Sequence, residues 1–206
     1  MVRQRKAQFL IHLRKTRPRR SSPDPLLSWS IKSMSSLFSP FEGSSERNTP
    51  RFEFAFEIHL DFAKFENIPD MPSGFGRGFV YLDGGTITGP QLNGRVIPGS
   101  GGDWASFRPD EVLATDARYM LEAEDGTKIL LHNRGYLWGR EADTLKRMQD
   151  WMFRDGPEVP FEDFYLRCSP MFETPKGPHE WMMRHIFIGI GQRQRHGNTI
   201  RYYALL

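Results

Sequence analysis

From Phe52 to Phe62 the chain alternates without a break. Phe52, Phe54, Phe56, Ile58, Leu60 and Phe62 fall on one side, and Glu53, Ala55, Glu57, His59 and Asp61 on the other. A period of two is the mark of a strand with one buried and one solvated face, so this segment has to belong to a sheet that covers a core. Short apolar segments follow at Gly78–Leu82, Thr86–Thr88, Gly94–Ile97, Ala117–Ala123, Thr127–Leu131, Phe164–Cys168, His185–Gly191 and Thr199–Leu205. Between them lie Asp83-Gly84-Gly85, Asn93-Gly94, Asp125-Gly126 and Gly197-Asn198. Asp-Gly and Asn-Gly supply the positive φ angles of tight hairpins. The pattern predicts a mainly β protein of roughly nine antiparallel strands, in a barrel or a sandwich. A closed barrel has the advantage of leaving no strand edge exposed.

One segment departs from this rhythm. Glu141–Arg154 sets Ala142, Leu145, Met148 and Met152 at helical spacing, with Asp143/Arg147 and Asp150/Arg154 one turn apart. It predicts a single inserted helix, packed over an open barrel end or acting as a lid above a pocket.

Charge divides the chain at its first third. Residues 1–20 carry eight basic residues and no acid, whereas residues 51–206 hold 18 basic and 22 acidic residues, a sum of −4. The sequence pI of about 9.1 therefore belongs to the tail. A mildly acidic body offers no basic face for phosphates, which argues against a nucleic-acid partner. Ten of the 14 serines lie in residues 1–50, beside Pro18, Pro23, Pro25, Pro40 and Pro50, so this part reads as a disordered basic, Ser/Pro-rich tail ahead of a domain at 51–206. Arg- and Ser-rich, acid-poor sequence also suits a mitochondrial transit peptide over residues 1–33. An untargeted basic arm, or a true start at Met34, are the competing readings, and with either the expected compartment is the cytoplasm. No apolar run is long enough to span a membrane. The single cysteine, Cys168, excludes an intrachain disulfide.

The segment from Gly84 to Trp104 is dense in glycine and ends on Asp103-Trp104. With Asp116-Ala117-Arg118-Tyr119, Asp125-Gly126, Asn133, Phe172-Glu173 and Trp181, it resembles the family catalogued as Domain of Unknown Function 3237, over about Phe52 to Leu205. The resemblance implies a small β-barrel-like fold. Members of this kind also occur among biosynthetic gene clusters, so it implies a tailoring step in secondary metabolism as one setting. Glu141–Arg154 stands as an insert relative to the family pattern. Trp181-Met182-Met183-Arg184 replaces the more common Trp-Leu-Asn, which removes any polar role at Met183.

Asp103 is the first catalytic candidate. It follows a glycine turn that could aim it into a cavity, and an indole wall from Trp104 would raise its pKa by desolvation. The alternative is a turn aspartate bonding its own backbone. Arg118 shares a strand face with Asp116, opposite Tyr119. It could bind an enolate, carboxylate or phenolate, or form an ion pair on the outer face. Glu173 sits in a loop flanked by Pro170 and Pro175, which would hold its side chain in place. Trp104, Asn133 and Trp181 are the candidate substrate-binding residues, against alternatives of core packing or a turn. The six histidines lack paired ligand spacing, so no metal and no other cofactor is expected. Cys168, in an apolar strand, reads as inert core.

These residues predict a cofactor-independent enzyme of the isomerase, cyclase or dehydratase/lyase type. It would act by proton transfer on a small hydrophobic, oxygenated metabolite. Asp103 would be the acid/base, Arg118 and Asn133 would steady an oxyanion, and Glu173 would relay the proton. The rival is a non-catalytic barrel that carries a small hydrophobic molecule. A third reading is an interaction module using the tail, and assembly into a homo-oligomer stays open.

Overall fold

A computed structural model describes residues 49–206, of which Pro50–Leu206 make one compact unit. The readings placed on residues 1–48, including the disordered tail, the transit peptide and the start at Met34, lie outside the described residues.

Ten strand segments and one α-helix follow in order. They are β1 (Phe52–Ile68), β2 (Gly76–Thr88), β3 (Gly94–Val96), β4 (Gly102–Asp103), β5 (Ser106–Phe107), β6 (Leu113–Ala123) and β7 (Lys128–Gly139). After α1 (Thr144–Phe153) come β8 (Phe164–Glu173), β9 (Phe187–Gln194) and β10 (Gly197–Leu205). All pairings are antiparallel. β1 pairs with β10 on one side and β2 on the other, which closes the sheet. β3, β4 and β5 lie end to end between β2 and β6 and form one interrupted stave, so the barrel has eight. The described residues form the expected barrel with one α-helix.

The alternation of β1 is less regular than its sequence. A bulge between Phe54 and Phe56 reverses the parity at its start. Ala55 is buried, whereas Phe52 is exposed and Phe54 meets Tyr203 edge-on at 5.7 Å. From Phe56 onward Ile58 and Leu60 point inward as expected. Two turn assignments also shift. Asp83-Gly84-Gly85 is not a turn but part of one long β2, which joins the segments read as Gly78–Leu82 and Thr86–Thr88. Gly85 serves close approach there, since a Cβ would stand 2.0 Å from the His59 carbonyl oxygen. Gly197-Asn198 begins β10, and the hairpin turns at Arg195-His196. Asp125-Gly126 does turn the β6–β7 hairpin, with the Thr127 N–H donating to Asp125 Oδ1 at 2.9 Å.

Two apolar clusters fill the molecule. In the main one Phe56, Phe172, Phe187 and Tyr202 pack with ring centroids 5.1 to 6.5 Å apart. In the second, α1 buries Met148 and Trp151 against Leu137, Val159, Phe164 and Leu166. The expected pairs Asp143–Arg147 and Asp150–Arg154 form at 3.8 and 3.0 Å. Such exposed pairs contribute roughly 0.3–0.5 kcal/mol each, so the apolar face is what holds α1 to the barrel. Among the described residues no helix is long and apolar enough to cross a membrane.

Candidate functional site

The interior of a small barrel is set by strand parity. On β6 the residues Thr115, Ala117, Tyr119 and Leu121 point inward, and Asp116 and Arg118 outward. On β7 the inward side chain at the same level is Asn133, which is buried. On β8 it is Cys168, and on β9 the parity of Phe187, Gly189 and Gly191 extends to Arg193. The two glycines make room. A Cβ on Gly189 would stand 2.3 Å from Cys168 Sγ, and one on Gly191 would stand 2.5 Å from Leu166 side-chain carbons.

These side chains surround a cavity of about 30 Å³, lined by Asp103, Tyr119, Asn133, Cys168 and Asn198 together with apolar groups from Leu60, Phe62, Leu82, Ala117 and Leu166. The volume suits one or two waters or a single functional group. Phe62, Asp103, Thr115, Ala117 and Asn198 are only partly buried, and on this side the cavity approaches solvent.

Asp103 enters from β4, hydrogen-bonded by backbone to both β2 and β6. Its Oδ1 accepts the Asp116 N–H at 2.8 Å. Burial raises its carboxyl to about 6, against the Asp116 hydrogen bond and the Arg193 charge, which both lower it. Burial likewise lowers Arg193 to about 10, opposed by the negative charge of Asp103. The Arg193 guanidinium lies over the Phe62 ring, 5.7 Å from its centroid. Asn133 Nδ2 donates to the Tyr202 hydroxyl at 3.0 Å. Burial raises both tyrosine hydroxyls, and it pushes the Cys168 thiol up to about 11, which keeps it protonated.

Among the described residues, the buried side-chain polar atoms without a hydrogen-bond partner are Asn133 Oδ1, Asn198 Oδ1 and Arg193 Nε, while the Tyr119 hydroxyl meets that of Tyr202. Two belong to residues that line the cavity, and the third belongs to the arginine lying over its Phe62 wall. Each such atom costs about 1–3 kcal/mol when left unpaired, so their gathering around one space marks it as a place for a polar guest.

The sequence-derived candidates divide between inside and outside. Asp103 and Asn133 meet in the cavity. Trp104, the residue just after β4, points outward, is 55% exposed and packs on Phe79 with centroids 3.9 Å apart. It therefore provides no wall for Asp103, and the aliphatic and Phe62 lining supplies the desolvation instead. Arg118 lies on the outer face, its Nε 3.9 Å from Asp116 Oδ1, and Asp116 in turn takes His132 Nε2 at 2.7 Å. Glu173 is exposed at the end of β8; its segment is strand rather than loop up to that residue. Trp181 packs on Phe187 at 5.5 Å, near Ala204, six residues along β10 from Asn198 and so about 20 Å away at strand spacing. The sequence motifs give Arg193, Tyr119, Tyr202 and Asn198 no site role. For Arg193 the available signal was its shared parity with Phe187. Among the described residues no three His, Cys, Asp or Glu side chains group as metal ligands.

Known proteins are similar to this chain in sequence and fold. A UPF0311 protein from Rhodopseudomonas palustris (strain TIE-1) is 29% identical over 160 residues, covering 77% of this chain and 99% of the relative. A UPF0311 protein from Clostridium acetobutylicum is 30% identical, over 63% of this chain and 77% of the relative. A crystal structure of a β-barrel-like protein from Acinetobacter baumannii matches with a TM-score of 0.64 at 25% identity, over 77% of this chain and 97% of that one. A crystal structure described as an enzyme from Penicillium herquei matches with a TM-score of 0.55 at 20% identity, over 76% and 95%, a likeness of fold alone. The family model described as "Protein of unknown function (DUF3237)" matches residues 50–205, the whole barrel, and the chain belongs to that family.

Proposed function

We propose that the barrel is a cofactor-independent acid–base enzyme of the isomerase, cyclase or dehydratase/lyase type. It acts on an apolar, oxygenated metabolite, with Asp103 moving the proton. The observation that carries this reading is a carboxyl held inside the barrel with a pKa of about 6, beside unpaired polar atoms that a substrate oxygen can satisfy. Near neutrality such a group takes a proton and gives it back with little driving force lost either way. In an isomerisation, a substrate C–H bond next to a carbonyl breaks, and the proton passes to the Asp103 carboxylate. The electron pair moves towards the substrate oxygen, and the same carboxyl returns the proton at another atom. Tyr119, whose hydroxyl can donate, is placed to hold that oxygen, while the open Asn133 Oδ1 is an acceptor and takes a substrate O–H. Arg118 and Glu173 stand on the outer face and take no part in the step.

The cavity takes a functional group rather than a whole metabolite, so the remainder of the substrate extends past Phe62 and Asn198. The same small volume disfavours the carrier reading, because an enclosed hydrophobic cargo fills several hundred Å³. A fold neighbour described as an enzyme supports a catalytic barrel of this shape, and a tailoring step in secondary metabolism is the proposed setting. Bacterial relatives have the same barrel, so the fold itself requires no mitochondrial setting.

The test is metabolite profiling of a strain lacking the gene, complemented by wild type, Asp103→Asn, Arg118→Gln or Glu173→Gln at matched expression. Loss of a product with accumulation of a related precursor is expected, restored by wild type and both outer-face variants but not by folded Asp103→Asn. Full rescue by Asp103→Asn would overturn the reading.

A further inference from the structure

The Arg193 guanidinium is a cation without a full set of partners. Its Nε has none, it lies over the Phe62 ring and faces Asn198 across the β9–β10 pairing, both of which line the cavity, and Asp103 is the only carboxylate among the lining residues. Stacking on the ring leaves the guanidinium edge as the donor surface, which is the edge a planar oxyanion engages. Asp103 inside the cavity and Arg193 at its Phe62–Asn198 end therefore act on one another's charge. When Asp103 is ionised the pair is neutral, and when Asp103 is protonated Arg193 is a part-buried cation lacking a counter-ion.

We propose that the barrel interior is an anion site in which Arg193 receives the carboxylate of a small organic ligand, and that Asp103 takes up one proton as the anion arrives. This rests on the same cavity as the catalytic reading and adds the chemical class of its guest. The coupling follows from charge: an anion beside Asp103 disfavours its ionised form, and by reciprocity a protonated Asp103 favours the anion. The open oxygens of Asn133 and Asn198 accept hydrogen bonds only, so the anion's place is at the Arg193 N–H edge. Asp116 presents its N–H to Asp103, and its carboxylate, outside against His132, adds a negative charge that raises Asp103 as the anion does. Cys168 on β8, at about 11, and the raised hydroxyls of Tyr119 on β6 and Tyr202 on β10 stay protonated, and Arg193 on β9, at about 10, stays charged. β1, β2 and β7 contribute Leu60, Phe62, Leu82 and Asn133, which do not titrate.

The test uses the full chain, with formate as the probe because it fits the cavity and remains ionised above pH 5, and formamide as its neutral counterpart. Binding is followed by the ¹H and ¹⁵N shifts of the Arg193 Nε–H. Formate is expected to shift that resonance and to bind about thirtyfold more tightly at pH 5 than at pH 7.5, given a carboxyl near 6. Formamide should show no such dependence. Asp103→Asn should hold formate with the pH 5 affinity at both pH values, and Arg193→Met should lose it. If Arg193→Met fails to fold, Asp103→Asn decides alone. Equal formate affinity at the two pH values in wild type, an unmoved Arg193 resonance, or a pH dependence that survives Asp103→Asn overturns the proposal. Formate binding as expected together with full metabolic rescue by Asp103→Asn would retain the anion site and remove the catalytic role. The reverse pair of results would do the opposite.

Discussion

Asp103 has a stability consequence that can be measured apart from any activity. Its carboxyl is raised from 3.8 in the unfolded chain to about 6 in the barrel. Between those values the folded state binds more protons, so the group's contribution is fully present below about pH 4 and is lost as the pH rises through 6. A shift of this size corresponds to a few kcal/mol at most, on the order of 2–3. Denaturant unfolding of wild type and Asp103→Asn at pH 4 and pH 7.5 is expected to show the difference moving in the variant's favour by about that amount as the pH rises. A parallel pH dependence in the two proteins would show that Asp103 titrates normally. At this scale the sequence was half legible. Asp103 stood out through its glycine-rich approach, but the wall that desolvates it comes from Leu60, Phe62 and Leu82, residues far from Trp104 in the chain. Arg118 was readable as an outward residue, because Ala117, Tyr119, Leu121 and Ala123 form the apolar parity of β6 and Arg118 does not share it. Arg193 was obscured by Gly189 and Gly191, whose missing side chains hide the inward face they belong to.

At the scale of elements, α1 and the β9–β10 turn are joined by one side chain. Arg195 donates to the carbonyls of Trp151 and Gly156 at 3.1 and 3.3 Å and reaches Asp155 Oδ1 at 3.3 Å. The apolar face of α1 rests on Leu166, which also lines the cavity, so loosening the helix loosens a cavity wall. Arg195→Ala should speed amide exchange about tenfold in residues 144–156, a loss of about 1.4 kcal/mol, while the barrel strands keep their protection. Uniform acceleration across the barrel would mean that α1 is not a separate opening unit. The helix itself was legible because a period near 3.6 interrupts a run of period two. The continuity of β2 through Asp83-Gly84-Gly85 was not, since the same glycines serve a hairpin or a close strand approach equally well. Another element-level feature escaped the one-dimensional pattern. β8 and β9 share only the register pairs Arg167–Ile190 and Cys168–Gly189, and Pro170, without an N–H, sits just beyond them.

For the molecule as a whole, closure is what the alternating strands made legible and what their spacing could not count. A strand list gives roughly nine segments, yet which of them share a stave depends on pairings that lie far apart in sequence. β3, β4 and β5 become one stave only because β2 and β6 hold both sides of each. The seam that completes the barrel joins the two ends of the domain. Phe52 faces Leu205, Glu57 bonds Arg201 across 144 positions, and the Leu206 N–H donates to the Arg51 carbonyl at 2.9 Å. Deleting Gly197–Leu206 from the full chain should therefore abolish cooperative unfolding rather than shave a few degrees from it, and a sharp melting transition in that truncation would contradict the closure described here. A seam of this kind also imposes an order of events on synthesis. β1 leaves the ribosome early with one edge unpaired and waits for the last strand to be made. Until then the open edge of β1 is sticky, so a nascent chain stalled before Gly197 holds a ready nucleus for aggregation, and the nine residues of β10 act as the fastener that removes it.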